Sequence, residues 1–198
     1  MSLTLTEMRT RVRQDLQDTD AANYRWTNDE VDGAIQRVVR EFSLAYPLME
    51  STDIATTDGS MELDISSLAG LISVEFVEFP IGEDPPCYQR VELWKTTLYM
   101  QDKGDGSDAR VRWYKDHTLD AESSTIPTQF EEIIVLGATG YLAASASAYT
   151  VDRASIAGKW ATINFLKWGQ ERLELYEKKL KAISRNSHVI SKEFYTDA

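Results

Sequence analysis

The stretch that most restricts how this chain can fold is residues 131–149, where two glutamates lead into a run of Ile, Leu, Ala and Gly. Gly137, Ala138, Gly140, Ala143, Ala144, Ala146 and Ala148 describe a helix that is small on nearly every side. Glycine inside a helix is roughly 1 kcal/mol less favourable than alanine. Two of them in one helix make sense where another backbone must come close. The run falls short of the roughly 20 apolar residues that a bilayer span requires, and it carries Thr139, Ser145 and Ser147. It reads as the central helix of a soluble core.

Helices on either side are signalled by their ends. In Thr4-Leu5-Thr6-Glu7 the threonine hydroxyl can accept from the Glu7 amide while the glutamate reaches back, a capping box; Leu3 and Met8 are placed as its hydrophobic staple. Leu5, Met8, Val12 and Leu16 then recur at spacings of three and four, so a helix is expected to about Gln17. Thr27 and Glu30 repeat the box, with Trp26 and Val31 as staple. Val31, Ala34, Ile35, Val38, Phe42 and Tyr46 form its stripe, and Pro47 stops it. The short link predicts a helical hairpin. Thr128-Gln129-Phe130-Glu131 offers a third box at the start of the small-sided helix, and Asp152 or Ser155 opens a last helix to about Ile183. Its expected stripe is Phe165, Trp168, Leu175, Tyr176, Leu180 and Ile183, with Ile156, Trp160 and Ile163 partly on another face.

Between these helices the period changes to two. Residues 53–57 and 61–65 read as strands joined by a tight turn at Asp58-Gly59. Residues 71–79 form another strand, with Ile72, Val74, Phe76 and Phe79 expected inward. Residues 91–100 fit helix or strand equally, and residues 109–115 form a strand with Val111 and Trp113 on one face. The fold expected is mainly α, a helical bundle with a long C-terminal helix, carrying a strand-rich insertion, so α+β overall. Residues 1–48 and 125–185 make the helical core, residues 49–124 an acidic β-rich insertion, and residues 186–198 a tail. That tail contains Val189, Ile190, Phe194 and Tyr195, too apolar for an idle terminus.

The formal charge of −11 is unevenly distributed: residues 50–132 hold 18 acids against 6 bases, whereas residues 133–198 hold 6 acids against 9 bases. A protein that grips DNA phosphates needs a basic stripe; the middle of this chain would repel a duplex. Catalytic patterns are missing as well. There are two histidines (His117, His188) and one cysteine, Cys87, which reads as a small hydrophobe and can form no internal disulfide. No zinc spacing, P-loop, dinucleotide fingerprint or nucleophile elbow occurs. The segment 102–108 lacks the acid ladder and final glutamate of a calcium loop and reads as a hairpin loop. No metal or cofactor is expected. Of the five tryptophans, Trp26, Trp94 and Trp113 are expected in cores or staples. Trp160 and Trp168, two turns apart on one helix, fit either core packing or a subunit interface.

The order of these signals is similar to that of the tailed-phage head–tail adaptor, or connector, family. The resemblance rests on Leu5, Met8, Val12 and Leu16, then Asp18-Thr19-Asp20, then Tyr24-Arg25-Trp26-Thr27-Asn28-Asp29-Glu30-Val31 and a helix ending at Pro47. Family members often open their second helix with R-W-[ST]-D-x-E; here Asn28 replaces the first acid. Pro127, Glu131-Glu132, the small-sided helix to Tyr149, Asp152-Arg153-Ala154 and the long last helix follow in the same order. What the resemblance implies is a non-enzymatic ring of copies, commonly twelve, docked beneath the portal in the virion neck after DNA packaging, with assembly in the host cytoplasm. DNA would pass through its lumen, and a stopper or tail-completion protein would join its far side. The family's C-terminal segments commonly meet the portal, which implies that role for Val189, Ile190, Phe194 and Tyr195. A rival expectation is a soluble DNA-binding or regulatory protein using Arg9, Arg11, Arg13, Arg37 and Arg40 of the first hairpin. A hydrolase with an unfamiliar site is a third.

Overall fold

A computed structural model of the chain describes residues 2–150 and 159–187. The chain divides into two compact units, Met1–Tyr46 with His117–Ala198, and Pro47–Asp116. The class is α+β: among the described residues there are four α-helices and seven strands, the strands in two antiparallel sheets. This corrects the expectation of a mainly α bundle. The error lay in the middle of the chain, where residues 91–100, ambiguous by pattern, form two strands, and where the first strand begins at Leu48 rather than at Asp53.

In the first unit, α1 (Leu5–Asp15) and α2 (Asn28–Ala45) begin at complete capping boxes. The Thr27 hydroxyl accepts from the Glu30 amide at 3.3 Å while the Glu30 carboxylate accepts from the Thr27 amide at 2.7 Å. Each such cap contributes about 1 kcal/mol. The box expected at Thr128 does not form. Thr128–Phe130 is instead a 3-10 turn with no side-chain cap, and it directs Phe130 onto Phe42 and Tyr46. Glu131 is thereby turned away from the turn and accepts from the Leu3 amide at 2.7 Å.

The small-sided helix, α3 (Glu131–Thr150), packs against α1, α2 and α4 (Lys159–Ser187). Its glycines lie where neighbours come closest. A Cβ on Gly140 would stand 2.8 Å from the Leu173 side chain, and one on Gly137 3.0 Å from both Val38 and Tyr176. Gly169 of α4 answers from the other side, where an added Cβ would stand 2.7 Å from the Ala143 Cβ. One core joins Met8, Val12, Val31, Ile35, Val38, Phe42, Ile134, Ala138, Leu142 and Tyr176. Leu119, grouped by sequence with the insertion, also belongs to it, as does Ile126, and His117 stacks on Tyr46. Leu175 departs from its expected place in the stripe: it is 46% exposed, because Tyr176 beside it takes the inward position.

The second unit contains β1 (Leu48–Ala55), β2 (Glu62–Asp64), β3 (Leu71–Glu78), β4 (Tyr88–Gln89), β5 (Val91–Trp94), β6 (Thr97–Met100) and β7 (Asp108–Lys115). One sheet runs β1-β7-β3-β4 and the other β2-β6-β5. Their inner faces share a core of Leu63, Ile65, Val77, Leu98, Met100, Val111 and Trp113. The expected hairpin about Asp58-Gly59 is not made. Gly59 does take the turn, with φ of 74°, but β1 pairs with β7 and β2 with β6. The hydrogen bonds from the Gly59 amide to the Gly104 carbonyl and from the Gly104 amide to the Ser60 carbonyl tie that turn to the β6–β7 loop instead. In β3, register shifts between Leu71 and Ser73 and between Val74 and Phe76 break the simple alternation. Val77 and Phe79 are therefore buried, while Ile72 points outward.

Candidate functional site

The chemistry-bearing side chains of the helical unit are drawn into structural contacts. Arg13, on the inner side of α1, donates to Asp18 at 2.6 Å, to the Trp26 carbonyl and to the Asn28 side chain, and its guanidinium lies over the Tyr24 ring. Arg9 forms a two-pronged bond with Asp32 at 2.7 and 2.6 Å. Arg11 meets Glu131 and Glu132, and Arg37 meets Glu41. Four of the five arginines named in the DNA-binding expectation are thus matched by carboxylates. A guanidinium so paired offers a phosphate little.

One polar cluster joins three helices. Glu41 of α2 accepts from the Tyr141 hydroxyl at 2.9 and 3.0 Å, from the Tyr176 hydroxyl at 3.2 Å and from Arg37 at 3.1 Å. Burial pushes both phenols up from their ordinary range, and the neighbouring Glu41 charge pushes further. Such a carboxylate is saturated with donors. It clasps α2, α3 and α4 together and is poorly placed to take a proton from a substrate.

His117 is equally committed. Its Nε2 faces the Tyr46 carbonyl at 2.9 Å, its Nδ1 faces the Thr125 carbonyl at 3.0 Å, and its amide donates to Ser43. Cys87 is partly buried with its sulfur 3.8 Å from the Gln89 amide nitrogen. In the segment 102–108, Asp102 bonds Gln89 and Asp105 caps Ser107, the pattern of a loop satisfying itself. Among the described residues no group of three His, Cys, Asp or Glu side chains is arranged to hold a metal ion, and no helix is long and apolar enough to cross a membrane.

No family model matches this sequence, and a search of curated proteins finds no match.

Of the residues proposed from sequence for partners, Trp168 stacks on Phe165 at 5.5 Å, lies under Arg172 and packs against the helical core. Trp160 lies in α4, but its side chain is outside the described residues, as are Val189, Ile190, Phe194 and Tyr195. Sequence reasoning missed a different surface. Trp94, expected in a core or staple, is 65% exposed at the end of β5. Strand alternation explains this: Leu98 and Met100 point inward, so Thr97 and Tyr99 point outward, and Trp94 pairs with Thr97. The signal in the sequence was Thr97-Leu98-Tyr99-Met100, an alternating run whose outward members share a face with Trp94 once the register is known.

Proposed function

We propose that this chain is a structural head-to-tail adaptor subunit of a phage virion. Its copies form a ring beneath the portal; DNA passes through the lumen, and a stopper or tail-completion protein attaches to the far side. The protein works by binding and performs no catalysis. The observation that carries this reading is the way the helical unit is assembled from two separated pieces of chain. Described residues up to Tyr46 and from His117 share one core around the small-sided helix, with the β unit between them in the chain. Those pieces are the ones that carry the resemblance to the adaptor family, and the spliced unit lies where that family commonly bears an insertion. The saturated state of Glu41, Arg13 and His117 supports the same reading, because these groups brace the fold instead of facing substrate.

Within this proposal, residues 186–198 form the portal-facing element through Val189, Ile190, Phe194 and Tyr195. Deleting them is expected to leave the helical circular dichroism spectrum intact and to abolish co-sedimentation with portal-bearing particles. Equal co-sedimentation of the truncated and full chains would remove the tail from the account.

A further inference from the structure

The exposed side of the three-stranded sheet carries an ordered pattern. Across the strands, one row reads Glu62, Tyr99, Glu92, and the next reads Asp64, Thr97, Trp94. Residues paired in register share a face, so two aromatic side chains stand outward among three carboxylates. Trp94 is 65% and Tyr99 40% exposed, and Lys95 follows Trp94 in the β5–β6 turn. Aromatics surrounded by charge of one sign make an anchor with an electrostatic rim. The surface calls for a partner with an apolar centre and basic flanks.

The same chain supplies one. On α4, Leu175 is exposed beside Lys178 and Lys179, which follow it by three and four residues, and Ala182 continues that side seven residues on. Neither lysine is in an ion pair among the described residues, whereas Lys167 and Lys181 pair with Glu171 and Glu177 of their own helix. One turn earlier, Glu171 faces the same way and is held by Lys167. A leucine with two lysines is the complement of a tryptophan and tyrosine with three acids.

We infer that the Trp94–Tyr99 face of the β unit binds the Leu175–Lys178–Lys179 face of α4 on a second copy of this chain. The two patches differ, so the contact is head-to-tail and repeats from copy to copy, closing a ring where the rotation allows. The inference rests on the ring reading above and names the surfaces that would make it.

Sedimentation velocity of the full chain tests it. The expected result is concentration-dependent association at low salt that weakens as salt is added. Glu62→Lys with Glu92→Lys should weaken self-association at least about tenfold, and so should Lys178→Glu with Lys179→Glu. Mixing the two reversed chains should restore it, because each then carries the other's complement. All four positions are solvent-exposed, so circular dichroism should be unchanged. Trp94→Ala, which alters no charge, should weaken association as well. A wild-type chain that stays monomeric at low salt overturns the contact, and the particle co-sedimentation experiment then judges the adaptor reading separately. Association that ignores the reversals, or reversed chains that fail to recover when mixed, also overturns the contact while leaving a ring built through another surface.

Discussion

Arg13 and Asp18 are each more than nine-tenths buried and 2.6 Å apart, so each neutralises a charge that could not otherwise leave water. Removing one partner of such a pair strands the other. Arg13→Ala is therefore expected to destabilise the helical unit by about 3–5 kcal/mol, measured by urea unfolding. An exposed-arginine account, in which this side chain waits for DNA, would give a change within about 0.5 kcal/mol. Glycines give a sharper contrast, because two of them should respond with opposite signs. Gly140→Ala places a Cβ 2.8 Å from Leu173, and the overlap should outweigh the better helix propensity, for a net loss of about 1–3 kcal/mol. Gly33→Ala on α2 meets nothing within 4 Å and should stabilise by roughly 0.5–1 kcal/mol. Denaturant midpoints of the two variants check both. The need for small residues in α3 was legible from sequence because it is a property of composition. The burial of Arg13 was not, because an arginine on a helix looks alike whether it faces Asp18 or solvent.

At the scale of elements, what could be read was what is local. Capping boxes join residues three apart, so Thr4–Glu7 and Thr27–Glu30 declared α1 and α2 from the sequence alone. Strand pairing is not local. The Asp58-Gly59 turn looked like a hairpin, yet β1 found its partner in β7, whose eight residues match it along its full length. The third box failed for a related reason: Glu131 has a distant competitor, the Leu3 amide, which no window around Thr128 contains. Three helices meet at Glu41, and this makes their packing sensitive to alkali. Tyr141 and Tyr176 have raised pKa values, so the folded unit keeps protons that the unfolded chain releases near pH 10. The stability they contribute is complete below that pH and is lost as pH rises above it. In the β unit, burial and the nearby Glu75 push Tyr114 up to about 12, which acts in the same direction. Thermal melts between pH 8 and about pH 11 should show falling stability, and Tyr176→Phe should flatten the fall. A melting temperature indifferent to that range would argue against the clasp.

For the molecule as a whole, charge is the property that sequence conveyed most directly. An acidic middle and a basic end are visible in the residue order. Their consequence depends on which side chains remain exposed, and that required the strand register that set Trp94 outward and the helix phase that left Leu175 uncovered. The candidate partner surfaces were thus only partly readable: their charge was legible, but their apolar centres were hidden by pattern rules that assign large hydrophobes to the core. An assembly subunit is defined by what it joins, so the adaptor proposal is tested by negative-stain imaging of the full chain mixed with portal-bearing particles. The expected result is ring-shaped density added at the portal vertex, absent when the chain is omitted. Particles that look the same with and without the chain, at saturating protein, would contradict it.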